Sequence, residues 1–179
     1  MESPDVYILA QVNWEFFATL TFKVAKLPAR VRYNMLFQWL RSTAASGCVY
    51  FPEMLWAVRA ELGEQTERFH FHALLGATGL KPVLYSCHNI RKRWSGLEGS
   101  AGMARVTVFD PRRDAGSYLT KPELFETTSR RGLRLEGETR VGGDIHESAK
   151  FGASTVDELT ISKSVYRLIA AKRGVDFVG

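Results

Sequence analysis

The chain has 179 residues, 45% of them hydrophobic and 24% charged, with a net charge of +5. That is the make-up of one domain with its own core, and the basic excess permits a nucleic-acid partner without requiring one. The two cysteines, Cys48 and Cys87, form no Cys-x-x-Cys and argue against a disulfide framework or a cysteine zinc site.

Residues 16–22, FFATLTF, are β-branched and aromatic and predict a strand. Pro28 suits the first turn of a helix. Tyr33, Leu36, Phe37, Leu40 and Ala44 continue it at helical spacing, and Gly47 stops it. Residues 54–61, MLWAVRAE, predict a second strand, 62–67 a polar turn, and 68–75, RFHFHALL, a third strand that forms a hairpin with the second. Pro82 opens a second helix, marked by Val83, Cys87, Ile90 and Trp94, with Gly96 at its end. Trp94 shares the apolar register and is expected in the core. Residues 103–109, MARVTVF, alternate as a fourth strand, and Asp110-Pro111 is a turn. Asp114 can cap a short helix from about 115. Residues 126–149 are rich in glycine and charge and read as a loop or small hairpin around Gly137. Val165, Leu168 and Ile169 mark a last helix that stops at Gly174.

The order β-α-β-β-α-β is that of an α+β, ferredoxin-like (split βαβ) fold, an antiparallel sheet of four or more strands with helices on one face. The expectation is a single domain over 1–179. Its motif-bearing core covers about 14–125, and a C-terminal extension covers about 126–179.

His70 and His72 are half of the four histidines in the chain. Side chains two apart on a strand face the same way, so the two imidazoles form a ready pair of metal ligands. A hard divalent ion wants oxygen as well. Glu61, at the end of the preceding strand, can supply it, and Glu64 and Glu67 in the turn are alternatives. Downstream, Tyr118 and Lys121 are three apart and share a face of a helix. A tyrosine is a covalent nucleophile when a nearby cation or metal offsets its high pKa. Pro122 follows Lys121 directly and disfavours helical geometry there.

Three short stretches in order, Phe17-Ala18-Thr19-Leu20-Thr21-Phe22, His70-Phe71-His72 and Tyr118-Leu119-Thr120-Lys121, give the chain a likeness to a known family. It resembles the HUH endonucleases of the rolling-circle replication initiator (Rep) type, over about the first two-thirds of its length. The resemblance implies that His70, His72 and Glu61 bind a catalytic Mg²⁺ or Mn²⁺. It implies that Tyr118 attacks a phosphate of single-stranded DNA, leaving a 5′-phosphotyrosine and a free 3′-hydroxyl, and that Lys121 steadies the phosphate or the tyrosine oxygen. The partners implied are a replication origin and a polymerase, with a helicase encoded elsewhere, because the chain has no Gly-x-x-x-x-Gly-Lys-Ser/Thr motor signature.

Single-strand binding needs positive charge. Arg112 and Arg113, beside the proposed nucleophile, lead the candidates for DNA contact. Arg91, Lys92 and Arg93 on the second helix and Arg130-Arg131 in the loop follow. His88 and His146 read as ordinary. A single-tyrosine HUH transposase is an alternative, but that group usually carries Tyr-x-x-x-Gln and here Pro122 holds the fourth place. A non-catalytic single-strand-binding module is the other alternative. No apolar run approaches the ~20 residues of a membrane span. The opening MESPDVYILAQ carries acids where a signal peptide carries bases. The expected location is the cytoplasm, or the nucleus of a eukaryotic host, with no membrane partner.

Overall fold

Alternate burial along the first strand decides which way the sheet faces. In the computed structural model, which describes residues 11–63, 68–97, 99–113, 135–136 and 157–173, strand β1 (Phe16–Phe22) buries Phe16, Ala18, Leu20 and Phe22 on one side. Helix α1 (Ala29–Ser46) follows, with Pro28 as its N-cap rather than its first residue and Gly47 as its C-cap. A single 3₁₀ turn (Phe51–Glu53) leads into β2 (Leu55–Leu62). Then come β3 (Phe69–Gly76), α2 (Leu84–Ser95) and β4 (Ala101–Val108). The last described elements are β5 (Leu135–Glu136), β6 (Asp157–Ser162) and α3 (Lys163–Arg173). The fold is α+β, and its first six main elements are those read from the sequence, shifted at their ends by one or two residues.

Among the described residues the sheet has six strands in the order β4-β1-β3-β2-β6-β5. The first five are antiparallel to their neighbours, and β5 runs parallel to β6. Strand β3 lies between β1 and β2, which is the split βαβ arrangement of the ferredoxin-like class. The additions are β6 on the outer edge of β2 and the short β5 beyond it. The sequence reading gave no strand at 157–162 and left 135–136 within a loop or small hairpin around Gly137. DELTIS is polar at most positions, and its pattern becomes readable only once Ile161 is seen buried beside Ala57.

Two apolar clusters flank the sheet. The larger joins β1, β2 and β3 to α1 and α2 through Leu36, Leu40, Phe71, Ile90, Trp94 and their neighbours. Two of its buried indoles reach carbonyls: Trp39 Nε1 donates to that of Ile90 at 3.0 Å, and Trp94 Nε1 to that of Thr21 at 3.1 Å. The smaller lies on the opposite face, where α3 brings Val165 against Trp14, Ala57, Leu74 and Ile161. It covers the end of that face nearest Leu74 and Ala57. The other end, nearest His70 and Glu61, carries polar side chains.

The C-terminus of α1 meets the loop after β3 at very close range. A Cβ on Gly47 would sit 1.8 Å from the Thr78 carbonyl oxygen. That loop is itself tied down, because the Glu15 carboxylate accepts from the Thr78 N–H (2.9 Å) and hydroxyl (2.5 Å). Neither backbone can yield cheaply, so Gly47→Ala is expected to lower unfolding stability by about 1–3 kcal/mol, measurable as a shift in urea midpoint at unchanged m-value.

Candidate metal centre

The β2–β3 hairpin sets the site by register. Glu61 pairs with His70, and Arg59 with His72. On the other side of β3, Thr21 pairs with His70 and Thr19 with His72. Directly paired residues of antiparallel strands share a face, so Thr19, Thr21, His70, His72, Arg59 and Glu61 all lie on the side away from α1 and α2. Phe71, between the two histidines, points into the larger core.

One oxygen organises the cluster. Glu61 Oε2 lies 3.6 Å from His70 Nε2 and 3.3 Å from His72 Nε2. One ligand atom from each of the three residues can be chosen so that all lie within 4.8 Å of one another. Metal–ligand bonds of about 2.0–2.2 Å put the ligand atoms of one ion roughly 3 Å apart. The two Glu–His distances are close to that already, and a small closure of the imidazoles would complete the set. The Glu61-His70-His72 group could therefore hold a metal ion. Two imidazoles and a carboxylate suit first-row transition ions, which accept nitrogen donors, more than Mg²⁺, which prefers oxygen.

The electrostatics suit ligand duty. His72 is 8% exposed, and its pKa is lowered to about 4, first by burial, then by the neighbouring His70, with Arg59 adding and Glu61 opposing. It is therefore neutral at pH 7, with a lone pair to offer. Arg59, 2% exposed, sets its Nη2 3.9 Å from Glu61 Oε1. The two carboxylate oxygens are thus divided: Oε1 toward the guanidinium, Oε2 toward the histidines. That arrangement favours a monodentate ligand. The His72 ring is held on both sides, stacked on Phe17 (centroids 6.0 Å, 6° between planes) and edge-on to His70 (4.8 Å, 88°).

The other sequence candidates fall elsewhere. Arg91, Lys92 and Arg93 lie on α2, in the helix layer on the far side of the sheet from the histidines. Arg91 Nη2 is 3.0 Å from His88 Nδ1, and Arg93 Nη1 donates to Ser42 Oγ of α1 at 2.7 Å, a tie between helices. Arg112 and Arg113 are exposed in the turn after β4. That turn follows Val108, which pairs with Phe16, so it leaves the end of β1 remote from Thr21 and His70. Arg113 Nε lies 3.6 Å from Asp110. Tyr118, Lys121, Pro122, Glu64, Glu67 and Arg130-Arg131 lie outside the described residues. Sequence reasoning assigned no role at the site to Phe17, Thr19 or Arg59. The signal was there: 17, 19 and 21 share parity on β1, as 59 and 61 do on β2, and the split βαβ order makes β1 a neighbour of β3.

Compared with protein-family models, curated proteins and solved structures, the chain matches none. No helix among the described residues is long and apolar enough to cross a membrane.

Proposed function

We propose that the chain nicks and rejoins single-stranded DNA with a divalent metal and a tyrosine nucleophile, in the manner of a rolling-circle replication initiator. The observation that carries this reading is the Glu61-His70-His72 cluster on the central hairpin of a ferredoxin-like sheet. It is flanked by the Phe17–Phe22 strand and followed in sequence by Tyr118-x-x-Lys121. Glu61, His70 and His72 would hold Mn²⁺ or Mg²⁺, which when bound would polarise a phosphate and draw charge from it. The Tyr118 oxygen attacks the phosphorus and the P–O3′ bond breaks, giving a 5′-phosphotyrosine and a free 3′-hydroxyl. Lys121 offsets the phenolate or phosphate charge. The 3′-hydroxyl primes synthesis by a separate polymerase, and later attack by a 3′-hydroxyl on the phosphotyrosine restores the DNA and releases the tyrosine.

The test is a denaturing gel of the protein incubated with Mn²⁺ and single-stranded oligonucleotides carrying its own origin. The expected result is a covalent adduct, lost on chelation and lost in Tyr118→Phe. An adduct that survives in Tyr118→Phe removes the nucleophile from the reading. Binding of a cognate origin with no adduct removes the enzyme and leaves a single-strand-binding module.

A further inference from the structure

Two threonines of β1 face the two histidines of β3 in register, and only one is turned toward its histidine. Thr19 Oγ1 lies 3.1 Å from His72 Nδ1. Thr21, opposite His70, instead donates its hydroxyl to the Met103 carbonyl at 2.9 Å, where the β1–β4 register shifts. Resting on the metal-centre reading above, we propose that Thr19 is the positioning residue that fixes His72 as the anchor ligand, by partnering Nδ1 in both tautomers of the ring.

The chemistry follows from what each atom can do. A neutral imidazole has one N–H and one lone pair, and a hydroxyl can both donate and accept. Without an ion, Nε2 of His72 carries the proton, 3.3 Å from Glu61 Oε2, and the Thr19 hydroxyl donates to the Nδ1 lone pair. With an ion, Nε2 must present its lone pair, so that proton leaves to solvent and Nδ1 gains one. The Thr19 oxygen then accepts the Nδ1–H. The ring stays neutral in both states, and Thr19 answers the change by turning its O–H alone. A carbonyl or carboxylate in place of Thr19 could serve only the second state, because it only accepts. Phe17, stacked on the same ring, keeps the plane fixed while the proton changes sides.

Threonine and valine are nearly isosteric and both suit a strand, so Thr19→Val removes the hydroxyl with little change of shape. The affinity for Mn²⁺, measured by calorimetry, is expected to fall by about 10–100-fold in Thr19→Val, to return in Thr19→Ser, and to be unchanged in Thr21→Val. A second readout needs no activity: ¹⁵N NMR of the imidazoles, with Zn²⁺ as the diamagnetic probe. His72 is expected to carry its proton on Nε2 in the metal-free protein and on Nδ1 when Zn²⁺ is bound. Wild-type affinity that survives in Thr19→Val, equal losses in both valine variants, or a proton that stays on Nε2 in the presence of Zn²⁺ overturns the assignment of Thr19 alone. A wild-type protein that binds neither ion overturns the metal centre and Thr19 with it.

Discussion

Glu61→Gln is expected to lower the affinity for Mn²⁺ by more than about 100-fold, beyond the 10–100-fold range typical of a lost outer-sphere partner. Glu61 contributes the only anion of the three-residue group, and one of its oxygens faces both imidazoles. The buried Arg59 beside it would otherwise act on a dication as a like charge. Glutamine keeps an oxygen and the shape of the side chain, so the loss reports charge rather than packing. Calorimetric titration of Mn²⁺ and Mg²⁺ into wild type and variant measures it. The wild type is expected to bind Mn²⁺ more tightly than Mg²⁺, because two of its three donors are imidazoles. An affinity that does not change in Glu61→Gln would take the carboxylate out of the centre and leave the histidines as polar residues of a strand.

How much of this could be read in advance depends on which forces acted locally. The helices and the first four strands were legible because their burial is one-sided or periodic. Phe16, Ala18, Leu20 and Phe22 alternate, and Tyr33 to Ala44 repeat every three or four residues. The candidate metal group was legible for the same reason: a period of two puts His70 and His72 together, and a hairpin puts Glu61 opposite His70. What escaped was set by pairing across distant segments. Strand β6 is held by its ladder to β2 and by Ile161 and Val165 packing on the second face, none of which shows in DELTIS. Arg59 escaped because a charged residue in a strand is normally solvated, whereas here β3 and β6 close over it from both sides. The basic run 91–93 was weighed as a DNA surface by charge alone. Its place in the helix layer, with Arg93 tied to Ser42, depends on how α1 packs on α2.

Burial of His72 also makes the metal-free fold sensitive to acid. His72 has a pKa of about 4 in the folded chain against 6.5 for an unperturbed imidazole. Between those values the unfolded chain takes up a proton that the folded chain refuses, so stability rises with pH across this window and falls as the pH drops from about 6.5 to 4. The shift corresponds to about 3 kcal/mol, fully present above pH 6.5 and gone below 4. The main cause is burial, so the penalty belongs to the strand position and not to any one partner. Urea denaturation at pH 7, 5.5 and 4 in the presence of chelator is expected to show this loss in the wild type. In His72→Gln, which cannot titrate, the pH dependence is expected to be shallower by the same amount. Adding Mn²⁺ should raise stability at pH 7 by mass action and steepen the fall toward acid, because protons and the ion compete for the same nitrogens. Identical pH profiles for wild type and His72→Gln would place the His72 pKa near its ordinary value, and with it the ring outside the buried face that the register assigns to it.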